Sequence, residues 1–271
     1  MKQRSSNEKL TIYLAIFFIL FLVVMLVLYF LGIIGGKEKT VDIVLNKDVI
    51  VKYEKDKWEE VKSKDYSNYN WDKFKVYEEG NKKGEYSLYY DDDKFYLFEE
   101  KGNKRTPILT LENSLYLGGK KESKFIQFNK EELEDNDTTY ITSVLKKNKI
   151  SDNDLNNYIL GYKVVEDFDN DDKKEVMYVI SNVFNENVKN NAYSLVFIKD
   201  GNNTDYIYKS IGNEENRLNQ CRADLLGLIQ VENDENTKIF TKCSYYSYSN
   251  NNEYGIYQNR NNTYELLLYI K

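Results

Sequence analysis

The chain has 271 residues, with 38 Lys and Arg against 44 Asp and Glu, a formal net charge of −6, no histidine, two cysteines and 25 tyrosines. Without histidine there is no Ser-His-Asp or Cys-His catalytic unit and no imidazole-based zinc site, and two cysteines alone do not build a structural zinc centre. The acidic balance, with lysines scattered rather than gathered into a stripe, argues against nucleic acid as a partner, and the 15% aromatic content favours half-buried pleated surfaces over a helix bundle.

The first predicted element is a helix. Residues 11–34 carry no charge, and about 20 such residues suffice to cross a bilayer core. Tyr13 and Tyr29 stand toward its two ends, where interfacial aromatics are favoured. A cleaved signal peptide would have an apolar region of about 7–15 residues and a small-x-small cleavage site. This stretch is longer, and Gly32-Ile33-Ile34-Gly35-Gly36 is a poor match to such a site. The reading is a cytoplasmic tail at 1–9, a transmembrane signal anchor at 10–35 and an extracytoplasmic remainder. The slight excess of positive charge at Lys2, Arg4 and Lys9 gives the orientation. Gly32 and Gly36 form a GxxxG pair that would let two helices approach; two small residues at a helix exit is the plainer account.

Beyond the anchor the pattern turns short-period. Strands are predicted at 41–45, 49–53, 73–77, 85–90, 94–98, 108–111, 115–117 and 124–128, forming an N-terminal β region over 36–128. Asp91-Asp92-Asp93 reads as a hairpin turn. Residues 129–157 read as a helical connection. Tyr140, Ile141, Val144 and Leu145 share one face of a helix over 137–149, with Asp137 or Thr138 as N-cap. A second short helical turn is predicted from Ser151, paired with Asp154 in an acidic variant of a capping box. A C-terminal β region over 158–271 has strands at 176–180, 193–198, 206–208, 226–231, 238–244, 254–257 and 264–270. The fold class is therefore mainly β: a single N-terminal transmembrane helix followed by an all-β ectodomain, propeller-like or sandwich-like, with a short helical connection.

The strongest chemical signal is the run Asp167-Phe168-Asp169-Asn170-Asp171-Asp172-Lys173-Lys174-Glu175, between the apolar stretches Val164-Val165 and Val176-Met177-Tyr178-Val179-Ile180. Acidic side chains at its positions 1, 3, 5 and 9 let one tight loop turn several oxygens onto a hard cation such as calcium. The alternative is a solvated acidic hairpin, since Asp and Asn favour such turns for local reasons. The run has an internal echo. Residues 169–177 align with 232–240, and each copy then reaches a similar hairpin, Tyr193-Ser194-Leu195-Val196 in one and Tyr254-Gly255-Ile256-Tyr257 in the other. Tyr86-Ser87-Leu88-Tyr89 opens a third hairpin of like wording.

Strand, Asp-x-Asp-x-Asp-x-x-x-Asp/Glu, strand resembles the loop of FG-GAP or VCBS repeats of integrin-like β-propellers, over roughly 164–211 and, in part, 228–271. The resemblance implies calcium in a structural role, with side-chain ligands Asp167, Asp169, Asp171 and Glu175 and the main-chain carbonyl of Lys173. Position 6, usually glycine in that family, is Asp172 here. The second copy has Gln230 and Lys238 at ligand positions and is expected to bind nothing.

Three weaker signals complete the reading. Cys221 and Cys243 form a disulfide outside the membrane, or else are two small buried apolar residues. Trp58 and Trp71 with Tyr66 and Tyr69 make an aromatic face for a glycan or peptide, or belong to the core. Adjacent acids such as Glu59-Glu60 and Glu131-Glu132 give no sign of convergence. The expectation is a membrane-anchored extracytoplasmic binding or scaffold module of a bacterial cell envelope, not an enzyme, with a protein or glycan partner. The alternatives are a carboxylate-based envelope hydrolase, or a structural subunit of a membrane complex.

Overall fold

The computed structural model describes residues 6–30, 41–45, 49–54, 57–68, 71–91, 94–101, 104–108, 114–118, 123–201, 203–213, 215–216, 219–231, 234, 236–246, 252–260 and 263–271. The chain divides into two compact units, Met1–Lys39 and Thr40–Lys271. The first contains α1 (Ser6–Phe30), 25 residues long. Its side chains are described over 13–27, where all but Met25 are exposed, Tyr13, Phe17 and Phe18 among them. Among the described residues no helix is long and apolar enough to cross a membrane. The stretch with described side chains is shorter than the about 20 residues a span needs, and the charge-free sequence continues past it on both sides. Gly32 and Gly36 lie outside the described residues.

The second unit is built from three antiparallel sheets. β1 (Val41–Leu45), β2 (Val49–Glu54) and β3 (Lys57–Glu60) form one meander. β4 (Trp71–Glu78), β5 (Asn81–Asp91), β6 (Lys94–Lys101) and β7 (Lys104–Ile108) form another. β8 (Ser114–Gly118) inserts between β1 and β4, giving eight strands in the order β3-β2-β1-β8-β4-β5-β6-β7. A four-stranded up-and-down sheet follows from β10 (Leu160–Glu166), β11 (Glu175–Ser181), β12 (Asn191–Asp200) and β13 (Asn203–Asn213). A second such meander comprises β14 (Cys221–Val231), β15 (Thr237–Tyr245), β16 (Asn252–Arg260) and β17 (Thr263–Ile270). β9 (Ser123–Ile126) comes from the N-terminal part of the chain but pairs with β14, so this sheet has five strands. Position 128 is therefore no boundary between sheets, and 40–271 is one unit.

The sheets stack as layers, and of the expected alternatives the sandwich-like arrangement fits. Trp58, Tyr53 and Ile43 of the eight-stranded sheet pack against Phe240, Ile229 and Ile256 of the five-stranded sheet. The opposite face of the five-stranded sheet, through Leu225, Leu228 and Ile239, meets Met177, Val179 and Val196 of the four-stranded sheet. The far face of that sheet, with Tyr178, Tyr193 and Phe197, is covered by Ile141, Val144 and Leu145 of α2 (Asp135–Lys147). A layer covered on both faces needs strands apolar on both sides. Leu225-Leu226-Gly227-Leu228-Ile229 and the buried run 192–198 read that way, as continuous runs rather than alternation.

Several expectations shift. β3 and most of β10 were not among the predicted strands, and β13 runs well beyond 206–208. Its polar ends pair with β12 through the main chain, which side-chain pattern does not reveal. The N-cap of α2 is Glu134, not Asp137 or Thr138. Asp137 stands at the third helical position and is buried, accepting from the Glu134 N–H at 3.0 Å, the Lys163 ammonium at 2.8 Å and the Tyr178 hydroxyl at 2.7 Å. Burial pushes its carboxyl up, but those donors hold it below the ordinary range. Residues 152–156 form turns rather than a helix. Ser151 does donate to Asp154, at 2.7 Å, and the fully buried Asp154 carboxylate also accepts the N–H groups of Lys189, Asn190 and Asn191. Residues 92–93 of the Asp91 turn lie outside the described residues; Asp91 pairs with Lys94.

Candidate metal centre

The acidic run joins β10 to β11, closed by the pair Glu166–Glu175. One end is fixed by Phe168, fully buried between the four- and five-stranded sheets. The Phe168 N–H donates to Glu175 Oε2 at 2.9 Å and draws that carboxylate, only 8% exposed, under the loop. Asp167 organises the rest: its Oδ1 accepts from the N–H of Asn170 (2.6 Å) and Asp171 (3.1 Å), and its Oδ2 from that of Asp172 (3.0 Å). Closing so tight a loop takes left-handed backbone at Asn170 (φ 64°) and Asp172 (φ 68°). Asn and Asp tolerate this better than other side-chain-bearing residues, so Asp172 adopts the conformation for which the family pattern uses glycine.

The result is convergence. Asp167, Asp169, Asp171 and Glu175 each present an oxygen, and these oxygens lie within 4.8 Å of one another. Calcium–oxygen distances of 2.3–2.6 Å place opposed ligands about 5 Å apart, so the spacing suits one hard cation. Of the five predicted site residues, these four come together. The N–H and the ammonium of Lys173 both bond Asp171, at 2.9 and 2.7 Å. Its side chain is exposed, as is that of Lys174, which reaches Glu166 at 3.6 Å.

The cluster is electrostatically loaded. Burial, reinforced by Asp169, Asp167 and Asp171, pushes the Glu175 carboxyl up to about 7, against the pull of the Phe168 N–H. Burial and the Asp171 charge also raise Asp169, whereas the Lys173 ammonium lowers Asp171. Sequence reading missed two further carboxylates. Val176 pairs with Lys199, so Asp200 at the end of β12 lies beside the start of β11, with Asp205 two strand positions from the same turn. Asp200 adds to the upward push on Asp169 and on Asp205. The available signal was the Asp200-Gly201 turn, legible only with the strand order in hand.

The second meander repeats the pairing of the first beside the first loop and in the last hairpin, while the middle pair, β15 with β16, is shifted by two residues relative to β11 with β12. Glu166–Glu175 and Ile229–Lys238 are the same pair 63 residues apart. Asp200–Asn203 and Arg260–Thr263 are the same pair 60 residues apart, and the bulge at Val196/Phe197 recurs at Ile256/Tyr257. By this register Tyr193 matches Glu253 and Ser194 matches Tyr254, one residue off the alignment expected from wording. The β5–β6 hairpin shares the short connection but not the bulge. In the β14–β15 loop Lys238 is fully buried and its ammonium donates to Asp234 Oδ2 (2.6 Å) and the Asn236 carbonyl (3.0 Å). Tyr53 of β2 reaches the same Asp234 oxygen at 3.5 Å.

The other candidates resolve as structure. Cys221 and Cys243 form a disulfide, Cα to Cα 5.3 Å, across β14 and β15. A bulge at Leu225/Gly227 sets Cys243 opposite Ala223, two residues along β14 from Cys221. Trp58 and Tyr66 do not share an aromatic face. Trp58 packs with Tyr53 and Phe240 between two sheets, whereas Tyr66, from a short 3-10 helix (Ser63–Asn68), packs with Tyr90 and Phe95 in a different cluster. The Trp71 side chain and Tyr69 lie outside what is described. Glu59, Glu60, Glu131 and Glu132 are all exposed. No family model, curated protein or solved structure matches the chain.

Proposed function

We propose that the chain is a membrane-anchored extracytoplasmic module of the cell envelope that binds or scaffolds a protein or glycan partner, with calcium stiffening the β10–β11 loop. The observation that supports it most is the convergence of Asp167, Asp169, Asp171 and Glu175 within 4.8 Å. The folded loop gathers these charges at an electrostatic cost, visible in the raised Glu175, and a divalent ion relieves it. An ion that binds only the folded state adds stability by mass action, and extracellular modules bind calcium at about 10⁻⁴–10⁻³ M. The FG-GAP/VCBS-like pattern points to the same ion. The Cys221–Cys243 bridge suits an oxidising compartment. The uncharged sequence 11–34 and the exposed apolar side chains of α1 support the anchor, with residues 1–9 on the cytoplasmic side.

The test is thermal unfolding of the full chain in detergent micelles, in millimolar calcium and in EDTA, beside the Asp169→Ala/Asp171→Ala double variant. At ten times Kd the ion contributes about 1.4 kcal/mol, a rise of about 3–6 °C, which the double variant loses. Equal midpoints in calcium and EDTA would reduce the loop to an acidic hairpin. Carbonate washing of membranes tests the anchor: release of the full chain into the supernatant counts against it.

One observation favours a second reading, a structural subunit of a membrane complex. β17 is the edge of the five-stranded sheet and exposes Leu266, Leu267 and Tyr269. An apolar edge of this kind is a template for pairing, here with a second copy of the chain. A monomer by sedimentation at micromolar concentration would dismiss it.

A further inference from the structure

The β11–β12 connection and the start of β14 lie at the opposite ends of their strands from the acidic loop, and a guanidinium without a carboxylate stands there. Arg222 is the second residue of β14 and is half-buried. Its Nε is closed off from water and has no hydrogen-bond partner. Among the described residues no carboxylate pairs with it. The guanidinium lies over the Phe184 ring, with Cζ 5.1 Å from the ring centroid. Phe184, in the β11–β12 connection, packs in turn on Tyr246, just past β15, with centroids 5.5 Å apart at 59°. Tyr246 is 61% exposed. Gln220 precedes Arg222 by two residues. Its Nε2 donates to Asn216 Oδ1 at 3.0 Å, and its Oε1 is also closed off without a partner.

Fold stability does not account for this arrangement. A closed-off donor without an acceptor carries a desolvation cost. The chain has 44 acidic residues to set beside a guanidinium, and it does so for Arg260, which meets Glu265 at 3.4 Å. At Arg222 the face of the guanidinium rests on Phe184 and the Nε side is buried, so the terminal nitrogens form the open edge. That edge is a planar fork, always charged, whose geometry matches a carboxylate with two parallel hydrogen bonds. Beside it Tyr246 offers an exposed ring. The connection leading into β14 adds the exposed residues Asn216 and Asn219, uncharged amides suited to hydroxyl groups.

We propose that Arg222, Phe184 and Tyr246 form a binding site for a uronic-acid sugar of an acidic glycan. The sugar carboxylate sits on the terminal nitrogens of Arg222, its ring face lies on Tyr246, and its hydroxyls meet the amides at the start of β14. Phe184 holds the guanidinium plane in place before the ligand arrives, which lowers the cost of binding. The inference rests on the reading of the chain as an extracytoplasmic module with a partner, and it names that partner's chemistry. An acidic peptide offers the carboxylate but lacks the ring face and the dense hydroxyls. A neutral glycan offers the ring and the hydroxyls but leaves the guanidinium unpaired.

The experiment is equilibrium dialysis of the full chain in detergent micelles against radiolabelled tetragalacturonate. EDTA is present throughout, so that no divalent ion bridges the sugar acid to the acidic loop. One equivalent binds saturably. Neutral galactotetraose binds at least about tenfold more weakly. Arg222→Lys keeps the charge, loses the fork and weakens binding about tenfold. Tyr246→Ala, at an exposed position that leaves the fold intact, weakens it about fivefold. Where Arg222→Lys fails to fold, Tyr246→Ala and the neutral sugar decide the matter. No saturable binding up to about 10 mM overturns the proposal, as does equal binding of galactotetraose or binding unchanged by Tyr246→Ala. Tetraglutamate bound as tightly as tetragalacturonate overturns it in favour of an acidic peptide. A sugar that fails to bind leaves the calcium-dependent midpoint and the carbonate-wash result untouched. Release of the chain by carbonate would remove the anchored-module reading while the affinity at Arg222 is still measured.

Discussion

The β10–β13 and β14–β17 meanders have the same up-and-down strand order, the same pairing beside the first loop and the same bulge in the last hairpin, yet they balance charge in different ways. The first end gathers Asp167, Asp169, Asp171 and Glu175, with Asp200 alongside, and its lysines lie outside in water. The second end buries Lys238 against Asp234 and sets Arg260 on Glu265. Packing follows the repeat closely. Phe168 and Val231 are equivalent, as are Met177 and Phe240, and each pair plugs its own sheet onto the next layer. Main-chain pairing and apolar plugs thus define the meander, and the loops are free to differ in charge.

Variants that break this comparison separate by size. Phe168→Ala removes a fully buried ring between two sheets and is expected to cost about 3–5 kcal/mol. Denaturant unfolding should show it losing more than Val231→Ala at the equivalent, smaller plug. Asp234→Ala strands the buried Lys238 ammonium, an effect of about 3–5 kcal/mol, measurable the same way. Cys243→Ser opens a bridge that spans 22 residues and is confined to the second meander, for about 2–4 kcal/mol. A reducing-agent titration of the parent should reproduce that loss. Asp171→Ala, equivalent to Asp234→Ala, breaks a pair whose members are 44% and 80% exposed and the hydrogen bond from the Lys173 N–H, which is left next to water. In EDTA it should cost less than about 1 kcal/mol. Equal losses for Asp171→Ala and Asp234→Ala would erase the contrast between the loops.

The subtlest test uses pH. The Glu175 carboxyl is raised from 4.5 to about 7 in the folded protein. Between those values the folded state holds a proton that the unfolded state has lost. In EDTA, stability therefore falls as pH rises through that window and levels off above about 7. Glu175→Gln should flatten that slope. Calcium bound as proposed would compete for the same carboxylate, and its binding near pH 6 would release up to about one proton, read by calorimetry in buffers of different ionisation heat. A slope unchanged by Glu175→Gln would mean that another group is responsible.

Much of the β region was legible because alternation and apolar runs report burial directly. Strands at 41–45 and 49–53 appear nearly as expected, as do the helix after 134 and the acidic loop between two apolar stretches. Within the loop, the spacing at positions 1, 3, 5 and 9 was sufficient to select the four carboxylates that converge, because a single hairpin loop brings its own residues together. β10 was harder to see, since Lys163 and Glu166 interrupt its apolar pattern. Lys163 is there to meet Asp137 of α2, a partner 26 residues earlier. The aromatic face was misread for a related reason. Trp58 and Tyr66 are near in sequence, but the chain turns between them and sends them into different cores.

The sequence by itself determined the local matters: which segments are apolar on one side or both, where turns fall, and which acids share a loop. These depend on neighbours a few residues apart. Tertiary structure alone decided that β9 joins the five-stranded sheet, that Asp200 stands beside the acidic loop, that Cys221 meets Cys243, and that Lys238 turns inward onto Asp234. Each of these depends on strand order, a bulge or a covering layer that brings distant positions together. A lysine beside a polar loop reads as solvated until the packing around its strand removes the water.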